Sequence, residues 1–126
     1  MSKTLFRCSI LALALAATSC RDLSKTTPPP PQIEAKKYYL VVLSNGSAYF
    51  GQLDGLGNPY PVLTDVYYVS TKTDPQTKAM SNILVKRGQE WHAPDRMILN
   101  EKAIVLIEPV GKDSRVSQLI EESKKK

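Results

Sequence analysis

Residues 38–69 read YYLVVLSNGSAYFGQLDGLGNPYPVLTDVYYV, and the fold is decided in this stretch. Two apolar runs flank Asn45-Gly46, a pair that tolerates the positive φ angles of a two-residue hairpin turn, so the spacing predicts two antiparallel neighbours. A second break, Asp54-Gly55-Leu56-Gly57-Asn58-Pro59, releases the chain into a third strand over residues 61–70. There Val62, Val66 and Val69, with Tyr67 and Tyr68, suit a pleated, half-buried surface. The centre of the chain is therefore expected to be a small antiparallel meander. The Tyr38/Tyr39 and Tyr67/Tyr68 pairs put one ring on each side of the sheet, and apolar groups on both faces require a cover on the outer one, from the C-terminal segment or another subunit.

Beyond the meander, residues 71–78 are polar and contain Asp74-Pro75, an exposed turn. Ile83 and Val85 alternate with Asn82 and Lys86, which predicts a fourth strand over 81–87. Residues 87–90 reverse the chain into Trp91-His92, and Pro94 breaks it again because it cannot donate to a ladder. A short return follows at 96–99, a turn or single 3₁₀ turn at 100–102, and a last strand at 103–108. Strands this short and closely spaced fit a small barrel or half-open roll. After Pro109 and Gly111, Ser114 can cap a helix running to Lys124, with Val116, Leu119 and Ile120 on one face. Such a helix is too short to stand alone in water, so it is expected to pack loosely on the sheet or fray.

At the amino end, Lys3 and Arg7 precede a short apolar run over 8–16 and the small residues Ala17-Thr18-Ser19 before Cys20. That order is an export signal. The run falls short of the roughly 20 apolar residues of a membrane-spanning helix. Ala17-Thr18-Ser19-Cys20 resembles the lipobox of bacterial lipoproteins. The resemblance implies that 1–19 is a cleaved signal peptide and that Cys20 receives lipid, palmitate included, which tethers the chain to a membrane. In that family an aspartate after the cysteine signals inner-membrane retention; Arg21 here implies the periplasmic side of the outer membrane. Once Cys8 is removed, Cys20 is the only cysteine, so the mature chain forms no internal disulfide and depends on core packing or partners.

Residues 20–37 form a polar linker with consecutive prolines at 28–31, an extended spacer of about 3.1 Å per residue in the proline-rich part. The formal net charge of +5 falls to +3 when Lys3 and Arg7 leave with the signal. Between residues 38 and 110 the basic side chains are Lys72, Lys78, Lys86, Arg87, Arg96 and Lys102, against Asp54, Asp65, Asp74, Glu90, Asp95, Glu101 and Glu108. The domain is thus close to neutral and the excess sits in the linker and tail, which weighs against a nucleic-acid-binding face. The expected organisation is a signal peptide (1–19), a lipidated linker (20–37), a β-barrel domain (38–110) and a C-terminal helix with a basic tail (111–126).

Asn45-Gly46, then Gly51-Gln52-Leu53, then Leu63-Thr64-Asp65-Val66 resemble the first motif of Sm and LSm-type small barrels, and Arg87-Gly88 after Ile83-Leu84-Val85 resembles their second. The resemblance covers about residues 41–108. It implies a mainly β fold: a small antiparallel five-stranded SH3-like (Sm-like) barrel with a short C-terminal α-helix. It also implies edge-to-edge association of copies, a homo-oligomer through strand edges. RNA binding in that family uses an acidic-x-x-Met-Asn loop; the matching loop here, residues 57–61, lacks Met-Asn, and only Arg87 carries over.

No nucleophile elbow, phosphate-binding glycine loop or His-Glu helix motif occurs. His92 is the only histidine, and a lone histidine does not build a metal site, so no metal or other cofactor and no catalysis are expected. Trp91, His92, Asp95 and Arg96 form the most unusual cluster, an aromatic plane with opposite charges at a turn, suited to recognition. The alternative for Trp91 is the largest core residue of a small barrel. The function expected is that of a membrane-anchored, non-enzymatic envelope lipoprotein whose barrel binds a protein or envelope component. The alternatives are a cytoplasmic Sm-like nucleic-acid binder, which requires an uncleaved leader, and a hydrolase or metal-dependent enzyme using His92 and Asp95.

Overall fold

The computed structural model describes residues 28, 29 and 31–125. The expected signal peptide, Cys20 and most of the linker lie outside the described residues. The described chain forms β1 (Tyr38–Leu43), β2 (Ala48–Asp54), β3 (Val62–Thr73), β4 (Met80–Lys86), β5 (Arg96–Ile98), a 3₁₀ turn (Glu101–Ala103), β6 (Ile104–Pro109) and α1 (Arg115–Lys124). The strands make one antiparallel sheet in the order β4-β3-β2-β1-β6, with β5 paired to β3. The fold is mainly β, as the sequence implies.

The expectation of a small five-stranded barrel needs correcting: the sheet is open, nearer the half-open roll that is the other expectation, and has six strands. The reason lies in β3, which is 12 residues long. Its first residues pair with β5 (Leu63 opposite Met97) and its remainder with β4 (Tyr67 opposite Lys86 through Thr73 opposite Met80). One edge of β3 is thus divided between two partners. β4 and β6 end the strand path, and no backbone ladder joins them.

Asp65 is where β3 changes partners. Phe50 faces Tyr67, but Gln52 faces Thr64, so β3 carries one extra residue there, and Asp65 takes a φ of +47°. This bulge lets Leu63 and Val66 both enter the core, although strict alternation would send them to opposite faces. It also brings β3 hard against Gly51, where a Cβ would lie 2.7 Å from Leu63 Cγ and 2.8 Å from the Thr64 carbonyl oxygen. Only glycine fits. The first hairpin forms where Asn45-Gly46 predicted it, but with a longer loop. Gly46 N donates to Leu43 O at 2.9 Å and Leu43 N to Ser47 O at 2.8 Å, and only Gly46, φ +83°, is left-handed. That is a three-residue loop ending in a glycine rather than the two-residue turn.

The core is Tyr39, Val41, Leu53, Leu63, Val66 and Leu99, flanked by partly buried Leu43, Tyr49, Leu56, Met97, Ile104 and Ile107. Ile33 packs on this cluster too, and Glu34 N donates to the Tyr39 hydroxyl at 3.0 Å, so the last residues of the expected spacer touch the domain. The opposite face carries Tyr38 and Tyr67, whose rings meet edge-on with centroids 6.3 Å apart. The C-terminal helix supplies its cover. Ser114 caps α1 by accepting from Ser117 N at 3.1 Å, Ile120 is buried, and the Tyr67 hydroxyl lies 3.1 Å from Ser123 Oγ. The helix is therefore held by a buried anchor, more firmly than its length suggests.

Candidate functional site

The loop between β4 and β5, residues 87–95, is closed on itself by one carboxylate. Arg87 N continues the ladder to Val66 O at 2.8 Å, and Gly88 then turns with φ +111°. Glu90 accepts from Gly88 N at 2.7 Å and from Arg87 Nε at 2.8 Å, while Ala93 N returns to Glu90 O at 2.8 Å. The Gly88 amide first, then Glu90's own amide and the Arg87 guanidinium, hold the Glu90 carboxyl below its ordinary value. Trp91 stands at the outer end of this pinned loop, 106 % exposed, with His92 exposed beside it. The core alternative for Trp91 is thereby corrected. The buried cluster of Tyr39, Val41, Leu53, Leu63, Val66 and Leu99 is complete without it, and the Glu90 ties turn the following residues outward.

Below the loop lies a cleft of about 230 Å³, whose charged lining residues are Asp65, Lys86, Arg87, Asp95 and Arg96. Arg87 directs one guanidinium nitrogen to Met97 Sδ at 3.2 Å and lies 5.8 Å from the centroid of the Tyr49 ring. Lys86 Nζ is 2.9 Å from Asp65 Oδ1, and the Tyr38 hydroxyl donates to the other oxygen of the same carboxylate. Arg96 bonds its neighbour Asp95, with Nη2 at 2.8 Å from Oδ2. The cations of the cleft are thus matched by carboxylates. This local neutrality limits the attraction of a polyanion.

The charges respond to one another. Burial pushes the Asp65 carboxyl up, but the Tyr38 hydroxyl and the Lys86 ammonium outweigh it, and the net position is below the usual value. Lys86 is raised, chiefly by Asp65. Burial and then the Asp65 hydrogen bond raise the Tyr38 phenol, while Lys124, whose ammonium is 5.1 Å from that ring centroid, opposes them. Asp95 is lowered by its hydrogen bonds with Arg96.

Of the four residues singled out by sequence, Asp95 and Arg96 line the cleft, whereas Trp91 and His92 stand outside it. No hydrogen bond joins His92 to Asp95 or Glu90 among the described residues; those carboxylates engage Arg96 and Arg87. Nor do three His, Cys, Asp or Glu side chains gather to hold a metal among them. No helix among the described residues is long and apolar enough to cross a membrane. Sequence reasoning missed the Tyr38–Asp65–Lys86 cluster, although a carboxylate between Leu63 and Val66 in an apolar strand was a legible sign of a special position. Compared with models of known protein families and with curated proteins, the chain matches none.

Proposed function

We propose that this protein is a membrane-anchored, non-enzymatic lipoprotein of the cell envelope. In this reading Cys20 carries the lipid, the outer membrane is the site of attachment, and the β domain binds a protein or envelope component through the Trp91 loop. The observation that carries the binding part is the fully exposed Trp91 on a loop fixed by Glu90. A large aromatic held in water on a rigid support loses little entropy when it is buried by a partner, which is why such residues dominate interfaces. Arg96 and Asp95 at the base of the loop offer a polar rim with both signs of charge. The relationship to SH3-like (Sm-like) folds implied by the sequence motifs is retained as a proposal for an open-sheet form of that fold, suggested by the meander, the bulged β3 and Arg87-Gly88 directly after β4. Nucleic acid is not the proposed partner, because the cations of the cleft are already matched by carboxylates.

The test is a photo-crosslinking side chain placed at position 91 in the full-length protein in growing cells, with position 105, on the exposed part of β6, as control. A discrete adduct from 91 that is missing from 105 supports the reading. Equal, diffuse labelling from both positions contradicts it.

A further inference from the structure

The two ends of the sheet are treated differently. β6 is protected: its register with β1 slips, Val42 facing Leu106 and Leu43 facing Ile104, so Val105 is bulged, and Pro109 offers no N–H. Bulges and prolines are the usual guards of an edge. β4 has neither. It faces β3 in unbroken register from Lys86 to Met80, contains no proline, and carries no charge from Met80 to Val85. Met80 is 76 % and Ile83 40 % exposed, on opposite faces of the strand, and Val69, which pairs with Leu84 from β3, is 49 % exposed.

The ladder fixes which backbone groups of β4 are free. Arg87 N bonds Val66 O and Asp74 N bonds Ala79 O, so residues 81, 83 and 85 direct their backbone groups to β3. Met80, Asn82, Leu84 and Lys86 direct theirs outward. We propose that the occupant of this edge is a second copy of the chain, paired β4 to β4 about a twofold axis at Ile83. In that antiparallel register Met80 pairs with the partner's Lys86 and Asn82 with the partner's Leu84, which uses every outward N–H and C=O of the strand.

Charge favours this arrangement. Lys86 meets the partner's Met80 and not a second lysine, and its own charge is held by Asp65. The 87–95 loop and the partner's 74–79 turn, which lie alongside each other in this register, each carry both signs of charge, Arg87 with Glu90 and Asp95 on one and Asp74 with Lys78 on the other, so the pairing brings no block of like charge together. The pairing is closed and isologous, so it stops at a dimer. A strand edge alone buries less than the roughly 1,200 Å² of a standard stable interface, so the association is weak in dilute solution and gains from confinement at a membrane. The proposal stands on the backbone of β4 and holds whatever the Trp91 loop binds.

Two variants of the purified full-length chain test it. Asn82→Pro removes an N–H that points away from β3 and, within the monomer, only the exposed bond that the Asn82 side chain accepts from Thr71 Oγ1, so it leaves the β3 ladder intact and spoils the edge. Sedimentation over a range of concentrations should show the wild type moving from monomer to dimer mass and Asn82→Pro remaining monomeric while still unfolding in one cooperative thermal transition. Ile83→Cys, with Cys8 and Cys20 replaced by serine, should form a disulfide-linked dimer on oxidation, because residues at the axis of a non-hydrogen-bonded pair lie about 4.5 Å apart. Ser81→Cys, displaced from the axis, should not. A wild type that stays monomeric overturns the proposal and leaves the edge to a foreign strand. Dimerisation that survives Asn82→Pro, or equal cross-linking from 81 and 83, overturns it as well.

Discussion

Replacing Gly51 by alanine tests the geometry on which the whole sheet turns. Its φ is not positive, so backbone strain is not at issue; the space is. The added methyl would sit 2.7 Å from Leu63 Cγ and 2.8 Å from the Thr64 carbonyl oxygen, against an optimal carbon–carbon separation of about 3.5–4.0 Å. Relief therefore requires β2 and β3 to part by close to 1 Å at the bulge. Leu63 is fully buried and the other obstacle is backbone, so neither yields cheaply. Overpacking a tight core costs about 1–3 kcal/mol, and the upper half of that range is expected here. For a domain of this size about 1 kcal/mol shifts the thermal midpoint by roughly 4–8 °C, so the loss should be roughly 10–20 °C by circular dichroism. Leu63→Ala costs about 2–5 kcal/mol alone, but combined with Gly51→Ala it should cost less than the sum, because it removes one of the two clashes. A Gly51→Ala midpoint within about 2 °C of wild type, a fraction of 1 kcal/mol, would refute the close approach.

Further outcomes concern the Tyr38–Asp65–Lys86 cluster, the helix and the loop. Asp65 has a folded carboxyl below its ordinary value of 3.8, so its contribution is full above that pH and is lost as pH falls through the folded value; Asp65→Asn should cost about 1 kcal/mol at neutral pH and flatten the acid limb of a denaturant-midpoint profile. Tyr38 is raised above 10.0, so its share of stability is present below that pH and lost as pH rises through the folded value; Tyr38→Phe should shrink the alkaline loss measured in the same way. Ile120→Ala removes the buried anchor of α1 and should cost about 2–5 kcal/mol, with fast amide exchange across Arg115–Lys124 while the strands stay protected. Trp91→Ala, by contrast, should leave stability within about 0.5 kcal/mol. Because Trp91 is the only tryptophan, the wild-type emission should match that of indole in water and be freely quenched by acrylamide.

The strands were legible because local signals agreed with the fold. Val62, Val66 and Val69 with the tyrosine pairs announced β3, Pro94 marked the break before β5, and Ser114 marked the start of α1. What escaped was set by long-range geometry. The extra residue at Asp65 decides which side chains of β3 face inward, and no periodicity across residues 61–70 displays it. Short, closely spaced strands suit a small barrel and a half-open roll alike, and the choice depends on whether β4 reaches β6, a relation between residues distant in sequence. The candidate site shows the same division. The composition of residues 91–96 drew attention to the loop, but only the Glu90 bonds show why Trp91 points outward, and only the fold brings Lys86 and Asp65 to the cleft beneath it.

The proposed anchoring is tested most directly by labelling growing cells with a clickable palmitate and fractionating the envelope, comparing the wild-type chain with Cys20→Ala. A labelled wild-type protein in the outer-membrane fraction is expected, with an unlabelled variant that leaves it. A full-length, unlabelled wild-type protein in the soluble fraction would contradict the account.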